Sequence, residues 1–139
     1  MSCFAGSAAY NAAMDSFSQE QLAQLTTMTM DLAREGNSAE LLEFIDHGIP
    51  VDIRDPDGNT LLMLAAYNGH VGTVRALIER GADVNLRNNR DQSPIAGALF
   101  KGEDEIVAVL HRAGADLDAG TPSARATAEM FGRTHLLEL

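Results

Sequence analysis

The side chains able to do chemistry in this chain are few and poorly grouped. The four histidines, His47, His70, His111 and His135, are scattered. None has a second histidine four residues away, the helical spacing that presents two imidazole nitrogens to one zinc ion. Cys3 is the single cysteine, so it forms no intramolecular disulfide or cysteine metal cluster. A thiol in an N-terminal segment also lacks the activating base and shaped pocket of a nucleophile. Glu103, Asp104 and Glu105 are adjacent but open a helical stretch, where negative charge beside free amide donors is favourable, so they read as helix chemistry rather than an acid–base pair. There is no Gly-x-x-x-x-Gly-Lys-Ser/Thr phosphate loop and no calcium loop. The expectation is a non-enzyme with no catalytic, cofactor-binding or metal-binding residue and no cofactor. One arrangement would reopen catalysis, either in an enzyme or in a regulatory subunit of one: His47 gathered with several of Asp46, Asp52 and Asp55 in an accessible cleft beside the first repeat.

Bulk properties narrow the partner. A chain of 139 residues with 45% hydrophobic content fits one domain with a continuous core, and no stretch approaches the length of a membrane span. Twenty acidic against ten basic side chains give a formal charge of −10, which repels a phosphate backbone, so nucleic acid is not an expected partner. The start, Met1 to Ser7, has neither a basic nor an apolar region of a secretory signal, and cytoplasm is the default location. A processed leader missing from this sequence is the alternative, and Cys3 would then be a candidate lipid attachment point.

The elements that position these residues come from a period of 33 residues. Gly58-Asn59-Thr60-Leu61 through Gly81-Ala82-Asp83-Val84-Asn85 recurs as Asp91-Gln92-Ser93-Pro94 through Gly114-Ala115-Asp116-Leu117-Asp118. A fixed period of this size signals a stacked solenoid. Gly36 and Gly48, Gly69 and Gly81, and Gly102 and Gly114 hold equivalent places and read as helix stops. Between them the apolar spacing is helical: Leu41, Leu42, Phe44 and Ile45, then Val71, Val74, Leu77 and Ile78, then Ile106, Val107, Val109 and Leu110. Asp55-Pro56-Asp57-Gly58 and Asn88-Asn89-Arg90-Asp91 favour tight turns.

The run Thr60 to His70, then Val74, then Leu77 to Asn85, resembles the ankyrin repeat almost position for position. The next unit keeps Ser93-Pro94-Ile95, Ala98, Gly102, Glu105-Ile106-Val107 and Gly114-Ala115-Asp116. It departs from the pattern at Ala96 and Gly97, where a larger helix-forming pair is usual, and a looser helix is expected there. Ser18 and Gln21 form a capping-box signature ahead of Leu22, Leu25, Leu32 and Ala33. Ser123, Ala128 and Gly132 match Thr60, Ala65 and Gly69 if the last turn is three residues shorter, with Thr121-Pro122 at the break, and a short final helix is expected over Thr134 to Leu139.

The resemblance implies an all-α ankyrin-repeat solenoid of about four helix-turn-helix units with β-turn-like connecting loops, the outer units acting as caps. The units run roughly 18–54, 55–87, 88–120 and 121–139, and residues 1–17 form an N-terminal segment that is either disordered or a helix extension. It further implies a protein–protein interaction module, with an accessory, adaptor or immunity-type role, whose concave face and turn tips contact a partner protein. The expected contacts are Asp57, Asn59, Tyr67, Asn68, Arg90, Gln92, Phe100, Lys101, Met130 and Phe131, with Arg34, Glu35, Pro56 and Asn89 on the same side. Tyr67, Phe100 and Met130 repeat at one register and are side chains of the type that dominate interfaces. The alternative for Phe100 is that it folds inward to fill the space left at Ala96 and Gly97. Arg54, Arg87 and Arg90 near the turn tips are candidates to meet partner carboxylates. Monomer is the expected state, with end-to-end self-association of the open solenoid as the alternative.

Overall fold

Three hydroxyl side chains set the helical register. Thr60, Ser93 and Ser123 each adopt extended backbone angles and accept a hydrogen bond from the amide three residues on, at Met63, Ala96 and Ala126. This satisfies one of the free donors at a helix start and fixes where each helix begins. In the computed structural model, which describes residues 18–138, they introduce α3 (Leu61–Tyr67), α5 (Pro94–Lys101) and α7 (Ala124–Met130). The expectations for residues 1–17 lie outside the described residues. α1 (Gln19–Glu35) starts earlier, at a capping box in which Ser18 Oγ accepts from the Gln21 amide at 3.0 Å and Gln21 Oε1 accepts from the Ser18 amide at 2.8 Å.

Each of these helices is followed by an antiparallel companion: α2 (Ser38–Asp46), α4 (Val71–Glu79) and α6 (Asp104–Arg112). After α7 there is only a 3₁₀ turn, Thr134–Leu137, where the sequence leads one to expect a helix. Four residues close only tight bonds, Leu136 N–H to Arg133 at 3.0 Å and Glu138 N–H to His135 at 3.4 Å, and Leu139 is not among the described residues.

The odd helices stack side by side as an inner layer, and α2, α4 and α6 form the outer one. Alanines at the same register, Ala65, Ala98 and Ala128, are completely buried and allow the inner helices to approach closely. Leu61, Leu62, Ile95 and Leu99 meet Leu41, Val74, Leu77, Val107 and Leu110 of the outer layer in one continuous core running through all units. No unit buries its apolar face alone, so stacking and folding are one event. This all-α solenoid is the expected architecture.

Turn tips project from the inner-helix starts. Asp55 Oδ1 accepts from the amides of Asp57 and Asn59, both at 2.9 Å, and 33 residues later Asn88 Oδ1 accepts from Arg90 and Gln92, both at 3.0 Å. A side chain that bonds its own downstream backbone is the device that closes such turns.

The looser helix expected at Ala96 and Gly97 is not found. α5 is intact over eight residues, one more than α3. Pro94 at the first helical position, the Ser93 cap and the buried residues Ile95, Ala96, Ala98 and Leu99 hold it, so the loss of side-chain bulk shows beside the helix, in the groove that Ala96 and Gly97 line.

Candidate functional site

Helical periodicity decides which side chains reach the open side. With Ala65 and Ala66 facing the core, the next residue, Tyr67, rotates outward at the last turn of α3, and Phe100 and Met130 do so on α5 and α7. Tyr67, Phe100, Met130 and Phe131 retain 42%, 52%, 66% and 43% of their surface, an unusual exposure for large apolar side chains standing together. Phe100 therefore points outward, and the inward alternative does not hold.

Between these rims the floor is low. α3 presents Met63 and Leu64, but α5 has Ala96 and Gly97 at the matching places, and a groove of about 570 Å³ opens over them. A Cβ added to Gly97 would stand 3.5 Å from the Tyr67 ring, an ordinary contact, so the space above this residue belongs to the groove and not to a packed neighbour. One rim consists of Tyr67, Phe100, Met130 and Phe131, the other of Asn59, Asn88, Arg90, Gln92 and Pro122 from the turns. Phe131 meets Phe100 edge to face, with centroids 5.4 Å apart and rings at 83°. The Lys101 ammonium lies 4.9 Å from the centroid of the Tyr67 ring. Arg133 lies 5.3 Å from that of Phe131 while donating to the carbonyls of Leu99 at 2.7 Å and Phe100 at 3.2 Å. Rings held this way lose little conformational freedom on meeting a partner.

Seven of the expected contact residues line this groove: Asn59, Tyr67, Arg90, Gln92, Phe100, Met130 and Phe131. Asp57, Asn68 and Lys101 do not. Asn68 Nδ2 is turned back to the Leu64 carbonyl at 2.7 Å, and the Asp57 carbonyl accepts from the Asn89 amide at 2.9 Å at the turn tip. Asn59 and Gln92 are tied to Asn88, whose Nδ2 donates to Asn59 Oδ1 at 2.9 Å and Gln92 Oε1 at 2.7 Å, so they shape the rim. Of the arginines near the tips, Arg87 pairs with Asp91 at 2.9 Å and Arg54 donates to the Arg87 carbonyl at 3.4 Å, while Arg90 makes no ion pair among the described residues. Arg34 is paired with Asp31 at 2.8 Å and, with Pro56, borders a separate recess between α1 and the first turn. Of the lining residues outside the expected contacts, Ala96 and Gly97 are flagged in the sequence by the break in the repeat pattern, whereas Met63 and Thr127 carry no such signal.

The groups that would make a catalytic site are each engaged elsewhere. A ring nitrogen of His47, Nδ1, is 2.7 Å from the Glu43 carbonyl, Asp46 holds Arg80 in a two-pronged pair at 3.0 and 3.2 Å, Asp52 accepts from the Asp83 amide at 3.0 Å, and Asp55 closes its turn. His70 has the structural role expected of it: Nε2 is 2.7 Å from the Arg34 carbonyl, and the ring lies over Gly36. The shifted titrations also lie outside the groove lining. Hydrogen bonds from Arg80 and Arg125 lower the carboxyls of Asp46 and Asp118, and burial raises that of Asp52. Among the described residues no three His, Cys, Asp or Glu side chains are placed to share a metal ion, and no helix is long and apolar enough to cross a membrane.

A family model described as ankyrin repeats, in three copies, matches residues 29–121. A Pseudomonas aeruginosa protein named as an ankyrin repeat protein is 45% identical over 62 residues, covering 45% of this chain and 34% of its own length. Ankyrin repeat domain-containing protein 29 of Homo sapiens is 52% identical over 46 residues, or 32% of this chain and 15% of that protein. Acyl-CoA-binding domain-containing protein 1 of Arabidopsis thaliana is 47% identical over 45 residues, or 32% of this chain and 13% of that protein. The matched stretch spans about a third or less of each of these relatives.

Proposed function

The chain belongs to the ankyrin repeat family, whose members are in general protein-interaction modules, and on that premise we propose that it binds a partner protein through its concave face, with the groove between α3, α5 and α7 at the centre of contact. The observation that carries this reading is the row of outward side chains at one register, Tyr67, Phe100 and Met130, with Phe131 packed edge to face on Phe100. Side chains of this kind, fixed before binding and set around a concavity, are those from which interfaces draw most of their energy. With the neighbouring turn tips the contact is of standard size, about 800 Å² on each partner. Its role is that of an accessory, adaptor or immunity-type protein. The test is affinity capture from the native host with wild type beside a Tyr67→Ala/Phe100→Ala variant whose helical circular dichroism matches wild type. A protein retained by wild type and lost by the variant is expected, and equal capture by both would refute concave-face binding.

A further inference from the structure

The groove differs in charge from the molecule that carries it. The chain has 20 acidic side chains against 10 basic ones, yet among the described residues no carboxylate lines the groove. Five of the ten basic side chains are occupied by ion pairs with Asp31, Glu105, Asp46, Asp91 and Asp118. Of the five basic side chains with no carboxylate partner among the described residues, Arg54 and Arg112 lie away from the groove, Arg90 stands in its lining, Lys101 over Tyr67 and Arg133 over Phe131. An acidic chain thus keeps cations free of carboxylates around one apolar concavity. Both the space and the charge call for the same kind of occupant. The floor at Ala96 and Gly97 leaves room for a bulky apolar side chain between the Tyr67 and Phe100 rings, and a volume of about 570 Å³ suits a few side chains of a linear segment.

Resting on the concave-face reading above, we propose that the groove takes an acidic linear segment of a partner protein. A bulky apolar or aromatic side chain of that segment sits on Ala96 and Gly97. Flanking Asp or Glu residues meet Arg90 on the turn side and Lys101 and Arg133 at the helix ends. The two features act on different quantities. The anchor removes apolar surface and ring faces from water and supplies affinity. Arg90 lines the groove, while Lys101 and the half-buried Arg133 stand beside its aromatic rim; charges so placed govern encounter rate and choice of partner more than strength.

The experiment is selection from a random-peptide display library on the immobilised full chain, followed by fluorescence polarisation with the most enriched peptide, labelled with fluorescein. Gly97→Leu is the central variant. Leu64 occupies this register on α3, leucine favours a helix more than glycine, and a Cβ at Gly97 makes only an ordinary contact, 3.5 Å from the Tyr67 ring, on the groove side. The enriched pool is expected to combine an aromatic residue, Leu or Met with two or more acidic residues. Its best peptide is expected to lose at least about tenfold in affinity on Gly97→Leu, and selection on Arg90→Glu/Lys101→Glu is expected to reverse the charge preference of the pool. A pool without acidic bias, no enriched pool, or unchanged affinity with folded Gly97→Leu overturns the proposal. Peptides lost on Tyr67→Ala/Phe100→Ala but indifferent to Gly97→Leu and to charge reversal overturn it while leaving the concave-face reading standing. Peptides indifferent to every variant overturn both. Concentration-dependent dimerisation that Gly97→Leu abolishes would assign the groove to a second copy of this chain and likewise refute the acidic-segment assignment.

Discussion

The contact between Gly36 and His70 makes a quantitative case for how neighbouring units are fastened. Gly36 ends α1 at φ +75°, a left-handed conformation, and an added Cβ would fall 2.5 to 2.9 Å from three atoms of the His70 ring. That ring, from the start of α4, bonds the Arg34 carbonyl at 2.7 Å, one of the acceptors left free at the end of α1. Gly36→Ala therefore carries two costs. Left-handed backbone with a Cβ costs about 1 to 2 kcal/mol. Displacing the ring forfeits one hydrogen bond, about 1 kcal/mol net. His70→Ala removes the bond without the strain, and since His70 makes no side-chain cap to α4, about 1 kcal/mol is its whole effect. The double variant should then be no more than the sum of strain and one lost bond, about 2 to 3 kcal/mol, so Gly36→Ala costs about 1 kcal/mol less when His70 is already gone. Urea unfolding followed by circular dichroism, with constant slope across the four proteins, measures the cycle. If Gly36→Ala cost the same in both backgrounds, the ring would not lie over the glycine and the fastening would be misassigned.

Two further substitutions probe the stack. Burial raises the Asp52 carboxyl, with repulsion from Asp83 adding to it and the Asp83 amide opposing. A raised carboxyl contributes most below its unfolded value and loses that contribution as pH rises through the folded one, so ionised Asp52 is a liability at neutral pH. Asn85 shows what an amide does at the equivalent place, accepting from the Asp116 amide at 2.7 Å and donating to the Gly114 carbonyl at 3.3 Å. Asp52→Asn is expected to stabilise by a few tenths of a kcal/mol at pH 7, solvent screening limiting the gain. The advantage over wild type should shrink toward pH 3.5, and a gain that grows on acidification would contradict the assignment. Leu77 is completely buried between the two layers, and Leu77→Ala should cost about 2 to 5 kcal/mol by thermal or urea unfolding. A loss below about 0.5 kcal/mol would show that α4 is not part of the shared core.

The fold is legible in the sequence because a solenoid writes the same local instructions several times. Turn-closing Asp55 and Asn88, capping Thr60, Ser93 and Ser123, and apolar spacing such as Val74 and Leu77 all act through neighbours within a few residues or one unit away, and a period exposes them. The terminal turn at Thr134–Leu137 is less legible, since apolar Leu136 and Leu137 satisfy a helical pattern without saying how few bonds the segment closes. The groove is only partly legible. Exposure of Tyr67, Phe100 and Met130 follows from register, but the commitment of Asn59 and Gln92 to Asn88, and the turning of Asn68 to its own helix, depend on side-chain geometry that no pattern records.

The break at Ala96 and Gly97 shows where function is to be sought in a periodic protein. Read along the chain it is a weak helix; in three dimensions the helix holds, because its cap and its buried face are intact, and the missing bulk leaves a groove lined by buried Ala96 and half-buried Gly97. Core positions have no such freedom. Ala65, Ala98 and Ala128 each face a copy of their own surroundings, and enlarging one would push two inner helices apart. A position facing solvent has no copy of itself to satisfy. Departures from the period can accumulate there without cost to stacking, and they change only what the surface can hold. In this chain the departure replaces a methionine and a leucine by alanine and glycine in the floor beside an aromatic rim. The smallest residues of α5 thereby do more to shape the groove than the large ones around them.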